Sequence, residues 1–132
     1  ELGPGYNEEV YQKVLELRLP QHGLSYQPQL PIEVQLDGAT IGLYYLDFLV
    51  EDKVVLEIKA LSHSLTQDEI AQVITYLKAT ESPIGLLVNF GRKRLEFKRI
   101  FPPEKTQGTL PNRHLFRPWG QATRLSTDRG TD

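Results

Sequence analysis

Glu57 and Lys59 stand two apart in the apolar run Val54-Val55-Leu56-Glu57-Ile58-Lys59, and Asp47 lies upstream in a run rich in aromatic and β-branched residues. In extended chain, residues two apart share a face, so the Glu57 carboxylate and the Lys59 ammonium project together. Two carboxylates inside an apolar hairpin repel each other and lose hydration, and a divalent cation compensates both costs. Magnesium takes oxygen ligands, keeps several waters, and is commonly held by one or two carboxylates plus a substrate phosphate. Such an ion lowers the pKa of a bound water and neutralises charge on a phosphate, the two needs of phosphodiester hydrolysis. Lys59 could orient the water or stabilise the developing charge. The plain alternative is a structural ion pair, because Glu-x-Lys alone is a weak pattern.

Whether Asp47 meets Glu57 depends on strand register. A three-residue turn at Glu51-Asp52-Lys53 pairs Val50 with Val54 and sets Asp47 opposite Glu57, with β-carbons about 4.5–5.5 Å apart. A two-residue turn sets Asp47 opposite Leu56 and sends Glu57 to the other face. Both registers are open to the sequence.

The elements that must position these groups are legible from periodicity. Pro4 and Gly5 break the chain, and a helical pattern runs from about Tyr6 to Gly23, with Asn7 as cap and Val10, Val14 and Leu17 on one face. Pro20 is expected to stop or kink that helix. Residues 31–36 alternate as a strand, Asp37-Gly38 signals a hairpin, and 40–50 and 54–59 read as two more strands. Thr66 and Glu69 form a capping box for a second helix with the stripe Ile70, Val73, Ile74 and Leu77, ended at Ser82-Pro83. The apolar run 84–90 predicts a strand covered on both faces, and 94–101 predicts a last one. The expected order is αβββαβ(β), with residues 102–132 an irregular basic tail docked through Leu115, Phe116 and Trp119.

A chain of 132 residues suits one domain, here 1–101, plus that tail. Cysteine is absent, which excludes disulfides, thiolate nucleophiles and Cys-type zinc sites. With no apolar run of membrane-spanning length and no secretory leader, a cytoplasmic location is expected. Charge is unevenly spread: residues 1–91 carry five Lys/Arg against thirteen Asp/Glu, and residues 92–132 carry ten against four. A basic C-terminal third could meet phosphates, and an ordinary solvated tail would look the same.

The stretch Gly5-x-x-Glu8-x-x-Tyr11 resembles the signature of the GxxExxY protein family, a branch of the PD-(D/E)XK nuclease superfamily. Similarity continues through Asp47-Phe48-Leu49-Val50-Glu51, Glu57-Ile58-Lys59-Ala60, Ala71-Gln72, Tyr76-Leu77-Lys78-Ala79-Thr80 and Gly85-Leu86-Leu87-Val88-Asn89-Phe90-Gly91. The resemblance covers roughly residues 2 to 101 and implies an α/β fold with an αβββαβ core, a central mixed sheet flanked by two helices. It implies a metal-dependent nuclease that hydrolyses phosphodiester bonds by attack of a metal-activated water, using magnesium or manganese; DNA is the expected substrate, although the resemblance does not itself identify one. Asp47, Glu57 and Glu8 would be the metal ligands and Lys59 the catalytic lysine. Gln72 and Tyr76, on one face of the second helix, would contact nucleic acid, and Tyr11 would orient Glu8. Arg92, Lys93 and Arg94, beside the site, are a candidate phosphate-gripping edge read from charge. Two features depart from the pattern: Leu46 precedes Asp47 where the superfamily name has Pro, and Glu69-Ile70 stands where His-Glu is common. The alternative function is a non-cleaving module that binds nucleic acid or protein on a nuclease fold. Expected partners are nucleic acid and either a second copy of the chain or a specificity-supplying protein.

Overall fold

The computed structural model describes residues 5–103 and the backbone of Leu115–Pro118. The elements are α1 (Glu8–Gln21), β1 (Tyr26–Leu36), β2 (Ala39–Val50), β3 (Val54–Lys59), α2 (Gln67–Thr80), β4 (Ile84–Asn89), β5 (Glu96–Ile100) and β6 (Leu115–Pro118). They form one mixed sheet in the order β5-β4-β3-β2-β1-β6. Only β3 and β4 are parallel, joined through α2, and every other neighbouring pair is antiparallel. The α/β fold and its αβββαβ order agree with the sequence expectation.

Each helix covers one sheet face. Val73, Tyr76, Leu77 and Ala79 of α2 pack with Ile32, Leu46, Leu49, Val55 and Leu87. On the other face Tyr11, Leu15 and Leu19 of α1 meet Phe48, Leu56, Ile58 and Val88. The packing stripe of α1 is therefore Tyr11-Leu15-Leu19 and not Val10-Val14-Leu17, since Leu17 is 70% exposed. Both sets have helical spacing, and only the position of the sheet selects between them.

Pro20 does not end α1, which continues to Gln21. A proline removes the N–H that would bond the carbonyl four residues back, here that of Glu16. The Tyr26 hydroxyl donates to that carbonyl at 3.1 Å and fills the gap. Asn7 caps the start of α1, accepting from Val10 N, and the Thr66–Glu69 capping box starts α2 as the sequence indicates.

The first strand begins at Tyr26, earlier than the expected residue 31, and takes in Pro28 and Pro31. Among the described residues, 26–31 pair with β2 alone, because β6 joins β1 from Ile32 to Gln35, so neither proline interrupts a second ladder there. Strand β6 lies within the segment expected to be irregular. That expectation fails at Leu115–Pro118, because the exposed edge of β1 offers unpaired backbone groups that β6 takes up. Trp119 and the rest of the tail fall outside the described residues. Within them, no helix is long and apolar enough to cross a membrane.

Candidate metal centre

The β2–β3 turn decides the register. Val50 pairs with Val54, Leu49 with Val55 and Phe48 with Leu56, which is the three-residue alternative and sets Asp47 in line with Glu57. Glu51 and Asp52 adopt positive φ of 55° and 56° in this turn, an uncommon conformation for such residues. The turn is held from outside. Glu51 Oε2 accepts from Ser25 N at 2.6 Å and Ser25 Oγ at 2.9 Å, and Asp52 Oδ1 accepts from Gln27 Nε2 at 2.9 Å.

Backbone pairing between β2 and β3 ends at Phe48–Leu56, and the two acids take over from it. Asp47 N donates to Glu57 Oε1 at 3.1 Å, while Ile58 N donates to Asp47 Oδ2 at 2.8 Å. Each carboxylate is thus bonded to the other strand's backbone. The alternation of β1 and β2 also breaks here. Leu30 and Leu46 pack on the α2 side, whereas Tyr26 and Phe48, of the same parity, pack on the α1 side. Gln29, with φ 50°, lies in line with Asp47 at that break and donates to Asp47 Oδ1 at 3.3 Å.

Glu57 is only 4% exposed, and its carboxyl is pushed up to about 8. Burial is the main cause and the charge of Asp47 the second; the Asp47 N–H and Lys59 oppose them, and Glu8 adds a smaller push. Asp47 is also raised, chiefly by burial, against the lowering effect of the Ile58 N–H, Gln29 and Lys59. Glu8 is raised by desolvation of its carboxyl first and by Asp47, with Lys59 and the Ala60 N–H lowering it. The residue as a whole is exposed, so only its tip feels the site.

Lys59 completes the group. Its Nζ donates to Gln72 Oε1 of α2 at 3.0 Å and lies 3.8 Å from Glu57 Oε2. A neutral amide and a buried carboxylate thus hold the Lys59 ammonium between them. Gln72 accordingly serves Lys59 in this structure. Tyr76 is 1% exposed, with its hydroxyl 3.5 Å from the Tyr45 carbonyl. Its phenol is raised by burial first and then by the charges of Glu57 and Asp47. The side chain for which the sequence suggests a nucleic-acid contact is thus enclosed beside the acid pair. Tyr11 is likewise in the core, stacked on Phe90 at 4.5 Å, so its ring packs the α1 interface.

Arg92, Lys93 and Arg94 occupy the β4–β5 turn. Arg92 bonds Ser64 Oγ and pairs with Glu96 at 3.8 Å, while Lys93 and Arg94 are exposed. Lys59, Asn89 and Glu96 are aligned across β3, β4 and β5, which brings this turn to the same end of the sheet as Lys59.

Sequence reasoning missed Gln12 and Gln29. Gln12 Nε2 donates to the Asp47 carbonyl at 3.4 Å; its place four residues after Glu8, on the same helix face, was the available signal. Gln29 had none, since only the fold brings it to Asp47.

Among the described residues, no three His, Asp or Glu side chains converge as a ready-made metal-holding group. Glu8 couples electrostatically to Asp47, Glu57 and Lys59 from the start of α1. The pair by itself suits a hard cation: two buried and mutually repelling carboxylates match the one or two by which magnesium is commonly held.

A family model for the PD-(D/E)XK nuclease superfamily matches residues 1–100, the whole span that carries this arrangement. The chain belongs to the PD-(D/E)XK nuclease superfamily. PD-(D/E)XK proteins are generally hydrolytic nucleases that use divalent metals, which fits the acid pair and lysine found here. The fold is also similar to a solved structure titled "Crystal structure of SSO0001", with a TM-score of 0.57 and 17% sequence identity. The match covers 93% of this PD-(D/E)XK chain and 57% of that one, so the chain spans little more than half the length of that protein. A search of curated proteins gives no match.

Proposed function

We propose that the chain is a metal-dependent nuclease of the GxxExxY branch that hydrolyses phosphodiester bonds in DNA. The observation that carries this reading is the reciprocal bonding of Asp47 and Glu57 across the end of the β2–β3 ladder, with Lys59 at 3.8 Å from Glu57. Two acids locked by each other's backbone are aimed before any ligand arrives, and such preorganisation is what electrostatic catalysis needs. Magnesium, or manganese in its place, would be held by Asp47 and Glu57 and would supply an acidified water and charge neutralisation on the phosphate. Lys59, positioned by Gln72, orients the attacking water or balances the charge that develops on the phosphate. Glu8 at the start of α1 adds negative potential that favours a cation over the pair. Lys93 and Arg94, exposed at the same end of the sheet, attract the nucleic-acid backbone.

Magnesium titration calorimetry on the wild type and on Asp47→Ala/Glu57→Ala, followed by incubation with plasmid and single-stranded DNA, tests this. Metal binding and cleavage are expected in the wild type and absent in the double variant. A wild type that takes up no divalent cation would refute the proposal and leave the acids as structural groups. The competing reading is a module that binds nucleic acid without cutting it, since a nuclease fold does not by itself fix activity. That reading predicts DNA binding with no product at any magnesium concentration.

A further inference from the structure

Strand β5 is an edge of the sheet, and its outer surface combines aromatic rings with cations in an unusual way. Ile100 is buried on the α2 side, so Phe97 and Arg99 alternate to the opposite face, and Phe101 follows directly on the end of β5. Phe97 pairs with Val88 and Arg99 with Leu86, both of which belong to the α1-side cluster. Yet α1 does not extend over this end: Phe97 is 53% exposed and Phe101 62%, with Arg99 exposed between them. Residues two apart on a strand are roughly 6.5–7 Å apart, so Phe97 and Arg99 set a ring beside a cation, and the exposed Phe101 ring continues the sequence just past the strand end. The row begins next to the Arg92-Lys93-Arg94 turn, and from Arg92 to Phe101 the only acid is Glu96, which faces the loop before α2 and accepts from Leu65 N.

We propose that this row is a stacking platform for single-stranded nucleic acid, which would pass from it around the basic turn to the acid pair. The inference deepens the nuclease reading and rests on it. An exposed aromatic ring gains from nucleic acid only where a base face is free, and in a duplex the faces are covered by their neighbours. Backbone phosphates meanwhile match Arg99 and the turn. Glu96, where β5 leaves the turn, is two strand spacings from Lys59, roughly 9.5 Å, because Lys59, Asn89 and Glu96 are in line. Charge speaks against the two protein occupants an edge strand invites. Antiparallel pairing with a second β5 centred on Lys98 would set Lys98 against Lys98, and like charges directly opposite are destabilising. Lysine on an edge is also a common device against strand addition.

The test is fluorescence anisotropy of the full chain in EDTA, so that nothing is cut. The probes are a labelled 12-nucleotide oligothymidylate, its duplex with oligoadenylate, and an abasic strand of equal length. Wild type is expected to bind the single strand more tightly than the duplex or the abasic strand. Phe97→Ala and Phe101→Ala should each weaken the single strand at least about fivefold while leaving the abasic strand unchanged. Both rings are largely exposed, so both variants should melt within a few degrees of wild type. Equal affinity for duplex and single strand, or alanine variants that bind like wild type, would overturn the platform. A dimer that dissociates in these variants while oligonucleotide binding stays unchanged would overturn it in favour of a self-association surface. The nuclease reading is judged separately, by cleavage in magnesium, and survives any of these outcomes.

Discussion

At the scale of single residues, the chemistry turns on how expensive Glu57 is to bury. Folding carries its carboxyl from an ordinary value of 4.5 to about 8, so across that window the folded protein holds a proton that the unfolded chain has released. Stability must then fall as pH rises from about 5 to about 8, and Asp47 and Glu8, shifted in the same direction, add to the slope. In the absence of divalent metal, the melting temperature of the wild type is expected to drop over this range. Glu57→Gln should flatten the profile and exceed wild type at pH 8 by roughly a few kcal/mol. A melting temperature that climbs between pH 5 and 8 would contradict the buried, raised carboxyl. Saturating magnesium should raise the wild type most at pH 8, since the cation requires the ionised pair. Lys59→Met is expected to retain metal binding while lowering single-turnover cleavage by about 100-fold or more. Loss of metal affinity in that variant would assign Lys59 to holding the acids in place.

At the scale of elements, the site depends on close approaches that only glycine allows. A β-carbon on Gly91 would overlap the backbone of Ala60 and Leu61, where the end of β4 passes the loop leaving β3. Asn89 ties the same crossing together: its Oδ1 accepts from Leu61 N at 2.9 Å and Gly91 N at 3.0 Å, and its Nδ2 donates to the His63 carbonyl at 3.0 Å. Backbone cannot yield as a flexible side chain can, so Gly91→Ala should cost at least about 2 kcal/mol in urea denaturation. Because the crossing adjoins Lys59, cleavage should fall further than stability alone explains. Gly85 is milder, since its added carbon would lie 2.6 Å from Val73 Cγ1 and the valine can turn. Tyr26→Phe tests the repair at Pro20. It leaves the Glu16 carbonyl without its 3.1 Å donor and should cost about 0.5–1.5 kcal/mol, with the loss localised by amide exchange to the last turn of α1.

At the scale of the whole molecule, the basic C-terminal third is not all appendage. Leu115–Pro118 closes the β1 edge with a ladder from Ile32↔Pro118 to Gln35↔Leu115. Removing residues 104–132 is expected to lower the urea midpoint and to speed amide exchange in β1 at residues 32–35, leaving β3 and β4 protected. Unchanged exchange there would mean that β6 adds nothing to the sheet. The division of charge, with thirteen acids against five bases before residue 92 and the reverse imbalance after it, also predicts a steep loss of oligonucleotide affinity with salt.

The amino-acid sequence by itself determined the order of elements, because helix and strand periods, the Asn7 and Thr66 caps and the Asp37-Gly38 turn are local properties. It also held Glu57 and Lys59, since a charged pair in the apolar run 54–59 stands out without any fold. The register of β2 on β3 was decided only in three dimensions: Ser25 and Gln27, distant in sequence, hold Glu51 and Asp52 in the turn that sets Asp47 against Glu57. Tertiary structure likewise chose Tyr11-Leu15-Leu19 as the buried stripe of α1, brought Gln29 to Asp47, enclosed Tyr76 and recruited β6. Each of these outcomes is a contact between segments far apart in the chain, and a local pattern carries no information about which distant surface will cover it.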